Sequence, residues 1–121
     1  MKIRFAAPAD RDVSSILSES YRLFGENQTV RYAEIIKTGV ELIAGEPLRP
    51  ASKERSEWGR RVRSLHLQLA AKRRGGASHI IYYRIGDMAG GVVELVVLRI
   101  PGDRMEPRRR MAYALRAVEN E

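Results

Sequence analysis

The chain has no cysteine, one tryptophan, two phenylalanines and two histidines in 121 residues. Each scarcity closes off some chemistry. Without cysteine there is no thiol nucleophile, no iron–sulfur or zinc–cysteine site and no disulfide framework, a usage that fits a reducing compartment. Two histidines are too few for the usual closed zinc site. No apolar run nears the roughly 18 residues of a membrane span, and the start MKIRFAAPADRD turns polar and acidic where a secretory signal would turn apolar. The motifs G-x-S-x-G, G-x-x-x-x-G-K-[ST] and G-x-G-x-x-G are also missing, so hydrolase, P-loop and dinucleotide-binding readings lack their residues. The expectation is a cytoplasmic protein with no membrane segment, cofactor or metal.

What the chain does have is positive charge. Its 22 Lys and Arg outnumber 15 Asp and Glu, a net charge of +7. Residues 1 to 48 carry 6 basic and 7 acidic side chains, whereas residues 49 to 121 carry 16 and 8, so the basic surface belongs to the later part. Of the basic residues 18 are Arg and 4 are Lys, which favours bidentate contacts to carboxylate or phosphate. An acidic protein and a nucleic acid are the two partner types that follow. The length suits one domain, 1–121, which can bury about two-thirds of its unfolded surface without covalent staples.

The hydrophobic period changes in order along the chain. Lys2 to Ala6 reads as a short strand. From Asp10 to Phe24, Val13, Ile16, Leu17, Tyr21 and Phe24 recur every three or four residues, one face of a helix. Gly25 ends it. A second helix from an Asn27 cap through Val30, Ala33, Ile36, Val40 and Ile43 reaches Ala44, so the two form an antiparallel hairpin with a two- or three-residue link. Gly39 inside the second helix costs about 1 kcal/mol against Ala, which places it at a close approach. Ala51 to Gly59 is an irregular connection around Trp58. Three β runs follow, Val62 to Leu69, Ser78 to Ile85 and Val92 to Ile100, joined by Gly-containing breaks that imply antiparallel hairpins. In the second run Ile81, Tyr83 and Ile85 alternate with Ile80, Tyr82 and Arg84, so the Arg-bearing side is expected to be the wetter one. The third run is apolar enough for a strand covered on both sides, with Arg99 ending one face and Leu98 and Ile100 on the other. Pro107 to Val118 can form a last helix with Pro107 near its first turn. The fold class is therefore α+β: an N-terminal strand, a two-helix hairpin on a mostly antiparallel three- to four-stranded sheet, and a short C-terminal helix.

Acid–base chemistry is thinly provided. A metal-independent nuclease needs a base, an acid and cations around the phosphorane. His66 alternates with Leu65 and Leu67 and reads as a hydrogen-bonded structural residue; His79 reads as an exposed strand start. Tyr82, Arg84, Arg99 and Arg104 can gather at one end of the sheet, where they suit anion binding rather than catalysis. The Lys72-Arg73-Arg74-Gly75-Gly76 tip lacks interleaved aromatics and reads as solvated, as does Arg108-Arg109-Arg110.

The segments FGENQTVRYAEII, RSLHL, GGASHIIYYRI and LRIPGDRMEP, in that order over about residues 3 to 111, resemble the ParE branch of the RelE/ParE toxin superfamily. The departures are Pro101 and Gly102 where relatives often carry Leu-His, and Glu106 where they carry Asp. The resemblance implies a type II toxin that inhibits DNA gyrase without being an enzyme, held in a hetero-oligomer by an acidic ParD-like antitoxin. A RelE-like ribosome-dependent messenger RNA endonuclease and a non-toxic basic nucleic-acid-binding module are the alternatives. Under the toxin reading Leu95 and Val97 lie on an uncovered sheet face that the antitoxin buries, its carboxylates pairing with Arg63, Arg84 and Arg99. Tyr82, Arg104 and Met105 complete the expected antitoxin- or target-binding set. With Pro101 and Gly102 in place, the strand should end by Ile100 and the chain turn earlier than in relatives.

Overall fold

A computed structural model describes residues 2–87, 93–106 and 108–119. Strand β1 (Lys2–Phe5) leads into α1 (Ala7–Phe24) and α2 (Glu26–Gly45). Strands β2 (Lys53–Glu54), β3 (Val62–His66), β4 (Ile80–Asp87) and β5 (Val93–Arg99) follow, and α3 (Arg108–Glu119) closes the chain. The sheet order is β1-β5-β4-β3-β2, antiparallel except where β1 lies parallel to β5. The expected α+β architecture holds, with one strand more than expected because Lys53–Glu54 pairs with Arg63 and Ser64. Among the described residues no helix is long and apolar enough to cross a membrane.

The helical hairpin turns more tightly than its sequence suggests. Gly25 alone separates the helices, at φ 85°, a left-handed conformation open to glycine at no steric cost. Its N–H donates to Tyr21 O at 3.0 Å, and its carbonyl accepts from both the Thr29 N–H and the Thr29 hydroxyl. Asn27, the expected cap, therefore lies inside α2. The start of α1 is also earlier, because Pro8 fits a first helical turn, where its missing N–H has no intrahelical partner to lose.

The hairpin covers one sheet face. Ile36, Val40 and Ile43 of α2 pack with Leu65, Ile81, Tyr83, Leu95, Val97 and Ile100 in the main core. Gly39 lies where that packing is closest: a Cβ there would stand 2.5 Å from Leu67 Cδ2. The other face is not wet. Helix α3 covers it through Met111, Ala114 and Val118, which bury Ala6, Val62, Tyr82, Val96 and Leu98. Alternation identified the two faces, but the apolar side of a helix this rich in Arg was not matched to its sheet. Pro107 lies outside the described residues.

A bulge rearranges the end of β5. Tyr83 pairs with Val97 but Tyr82 pairs with Arg99, so Leu98 has no partner of its own on β4. An extra residue of this kind resets the alternation. Leu98 accordingly joins Val96 beneath α3 and Ile100 enters the main core, instead of the two sharing a face. The strand does end at Arg99, yet the chain does not leave the sheet there. Ile80 N–H donates to Pro101 O, Gly102 bridges His79, and Asp103 N–H donates to Ser78 O at 2.8 Å. Proline lacks a donor but keeps its carbonyl, so pairing continues past it.

Candidate partner-binding face

The expected binding set separates into three groups. Leu95 and Val97 are fully buried under the hairpin and face no partner. The uncovered face assigned to them does not exist, because α1 and α2 occupy it. Arg99 is held inside the fold by Asp12, at 2.7 Å through both Nε and Nη2. Arg63 is half-buried and donates to the Ser52 hydroxyl and carbonyl. Tyr82 is 4% exposed, with the Arg55 guanidinium 5.9 Å from its ring centre. Burial pushes the Tyr82 hydroxyl pKa up, against the pull of Arg55. Arg84 lies on β4 opposite Val62, on the face away from its sequence neighbour Tyr83. Arg104 and Met105 are exposed in the turn after β5, away from Arg84 along β4.

Around that turn the structure gathers several residues. His66 Nδ1 accepts the Gln68 N–H at 3.0 Å, which leaves the proton on Nε2 to donate to Asp103 Oδ2, also at 3.0 Å. His66 thus fastens the turn to β3, the hydrogen-bonded role expected of it. His79 is not the exposed edge residue expected. It is half-buried against Tyr32, whose hydroxyl accepts the Ser78 N–H and donates to His79 Nδ1. Burial lowers the His79 pKa despite the carboxylates of Asp103 and Asp12, and burial raises that of Tyr32. Both histidines are committed to holding the 66–79–103 corner together. Among the described residues no cluster of His, Asp and Glu is placed to hold a metal.

Beside this corner the hairpin tip exposes a set of apolar side chains that periodicity assigns to the core. Tyr21, Leu23, Phe24 and Val30 are 63%, 52%, 69% and 56% exposed. Leu23 and Phe24 line a groove with Gly75–His79, the segment that precedes β4, rather than packing on the strands of the sheet. That groove, of about 370 Å³, runs from Leu23 and Phe24 past Tyr32 to Ala77 and His79. A second, of about 430 Å³, separates Val30, Arg31 and Ile35 from Ala70, Ala71, Lys72 and Arg73. Lys72 and Arg73 line this second groove together with Arg31 and Glu34, Arg74 beside them is exposed, and Glu19 lines the first groove. This end is a concave apolar surface whose charged edge is mainly cationic.

The sequence matches the family described as ParE toxin of type II toxin-antitoxin system, parDE, over residues 3–107. The chain belongs to the ParE toxin family. Its fold is also that of a solved structure, the chromosomal ParDE toxin–antitoxin system from P. aeruginosa, with a TM-score of 0.60 at 19% identity. The similarity covers 84% of this chain and 95% of that one; at such identity it establishes the shared fold. No curated protein matches the chain. For a ParE-family toxin, the sequence signal that pointed to the hairpin tip was present but read differently: Tyr21 and Phe24 continue the apolar stripe of α1, yet both are exposed. Arg104 and Met105 sit at the same end, whereas Arg84 does not.

Proposed function

We propose that this ParE-family protein inhibits DNA gyrase and is neutralised by an acidic ParD-like antitoxin seated on the hairpin end. The observation that carries the antitoxin site is the exposed group Tyr21, Leu23, Phe24 and Val30 beside Lys72, Arg73 and Arg74. Contiguous exposed apolar surface marks an interaction site, and a cationic rim selects an acidic partner and speeds its arrival. Action by binding rather than catalysis is supported by the two histidines, each of which spends a ring nitrogen on a neighbour within the fold. The whole chain acts as one toxin domain in a hetero-oligomer.

The test is a pair of assays on one preparation. Purified protein should stop gyrase supercoiling or trap cleaved DNA, should leave messenger RNA intact on programmed ribosomes, and should lose its effect when antitoxin is added. Codon-specific RNA cuts with supercoiling unaffected would establish the endonuclease instead. His66→Ala that stays folded should remain toxic. General acid or base removal lowers a rate by about a hundredfold to ten-thousandfold, so loss of toxicity in that variant would point to catalysis.

A further inference from the structure

The groove at the hairpin end has one wall that hangs from the helices by a single hydroxyl. Leu23, Phe24 and Tyr32 form its helical side, and residues 75–79 form the facing wall. On the sheet side that wall is held by backbone bonds. His79 O accepts the Leu67 N–H at 2.9 Å, and Ser78 O accepts the Asp103 N–H at 2.8 Å. Towards the helices, among the described residues, both of its hydrogen bonds end on the Tyr32 hydroxyl, which lies 3.2 Å from Ser78 N and also meets His79 Nδ1. The hydroxyl oxygen already accepts the Ser78 N–H, so its own proton goes to Nδ1. A ring nitrogen accepts that proton only while it carries none itself. The tie between wall and helix therefore requires an uncharged His79. Gly75 and Gly76, at the start of the wall, are the residues least constrained in backbone conformation.

We propose that this groove is proton-gated: the uncharged His79 ring latches the 75–79 wall to Tyr32, and a proton on that ring lowers the affinity of the groove for its antitoxin. The gate rests on the antitoxin seat proposed for the hairpin end. Among the described residues, the titratable groups that face the ring are Tyr32 of α2, Asp12 of α1, Asp103 in the turn after β5 and His66 at the end of β3. Both carboxylates favour a charged ring, yet each is committed elsewhere, Asp12 to Arg99 and Asp103 to His66. Glu19, on the helical side of the groove, is paired with Arg22. Burial outweighs these charges and disfavours the proton. An antitoxin side chain covering Leu23 and Phe24 takes the ring further from water, where an uncompensated charge is costly. The complex thus selects the neutral ring. Attraction of acidic side chains belongs to Lys72 and Arg73, which line the neighbouring groove.

Two measurements on the full chain test the gate, and the first needs no partner. The ring-nitrogen shifts of His79 and the exchange protection of the Ser78 amide are followed by NMR from about pH 7.5 to about pH 5.0. His79 should carry its proton on Nε2 at the upper pH, and Ser78 protection should fall as the ring titrates. Tyr32→Phe keeps the aromatic ring and removes only the hydroxyl, so it should strip Ser78 of protection already at the upper pH. The second measurement is Kd for the antitoxin over the same range. A proton that the complex excludes weakens affinity by up to about tenfold for each pH unit below the folded pKa of the ring. Kd should therefore rise about fivefold across the range in the parent. In His79→Asn, which still accepts from Tyr32 but does not titrate, it should rise less than about twofold. An Nδ1–H ring at the upper pH, unchanged Ser78 protection in Tyr32→Phe, or parallel Kd curves for the parent and His79→Asn would each overturn the gate. Those three failures leave the antitoxin seat standing. Phe24→Ser without effect on Kd at the upper pH would overturn the seat itself, and the gate with it.

Discussion

Arg99 of β5 and Asp12 of α1 are locked by two parallel hydrogen bonds of 2.7 Å. The same carboxylate accepts the Ile100 N–H at 2.8 Å, and Arg99 Nη1 reaches Arg110 O. One ion pair therefore ties the first helix, the bulged end of β5 and the last helix together. The appetite of Arg99 for a carboxylate was legible in the sequence. Its partner was not, because the two residues are 87 positions apart.

Both side chains of this pair are about 15% exposed, so breaking it strands a charge in poor solvent. Arg99→Ala and Asp12→Ala should each cost about 3 kcal/mol, the lower end for a buried pair, in urea unfolding. Asp12→Ala should be the worse of the two, since it also orphans the Ile100 N–H. The double variant should cost clearly less than the two losses added. Strict additivity would mean that the pair contributes nothing jointly.

Gly39→Ala tests the approach of α2 to the sheet. Alanine gains about 1 kcal/mol of helix propensity, but its Cβ would stand 2.5 Å from Leu67 Cδ2 and 3.1 Å from Ile81 Cδ1. Leu67 and Ile81 are fully buried and have little room to retreat. Overpacking costs about 1 to 3 kcal/mol, so a net destabilisation of about 1 kcal/mol is expected. Gly45→Ala, with nothing within 4 Å of its added methyl, serves as the control and should melt no lower than the parent. Equal melting of the two variants would remove the argument.

What the sequence disclosed follows the reach of its signals. The helical hairpin, the close approach at Gly39 and the enclosed β5 all come from local periodicity and were legible. The burial of Leu95 and Val97 was misread because alternation separates two faces without saying which helix covers which. The bulge at Leu98 leaves no mark in composition, yet it moves Leu98 and Ile100 to opposite faces. Phe24 and Tyr21 carry the correct helical phase but are 69% and 63% exposed, since phase alone does not say what covers each turn of a helix.

Stability should fall on mild acidification, and His79 should be a cause. Burial holds its folded pKa below the ordinary value of 6.5, so near neutrality it is uncharged in both folded and unfolded chains. Below about 6.5 the unfolded chain takes up a proton that the folded one resists, and stability drops until the folded pKa is reached. Protonated Nδ1 also cannot accept the Tyr32 hydroxyl proton. Unfolding free energies measured between pH 7.5 and 5.5 should decline in the parent and decline less in His79→Asn, whose amide oxygen can still accept. Parallel curves would show that His79 titrates alike in both states.

The hairpin end makes the sharpest prediction about partners. Phe24 and Leu23 are more than half exposed, so Phe24→Ser and Leu23→Ser should leave unfolding free energy within about 0.5 kcal/mol of the parent. If an antitoxin buries this surface, an aromatic at its centre is the type of residue that costs about 2 kcal/mol on truncation, some thirtyfold in Kd. Replacing Lys72, Arg73 and Arg74 together by Ser should act differently, slowing association and flattening its salt dependence while dissociation changes little. Surface plasmon resonance against the antitoxin separates the two signatures, with Leu95→Ala excluded as a probe because it would open a core cavity. Unchanged Kd in Phe24→Ser together with unchanged association in the triple variant would move the antitoxin to another face.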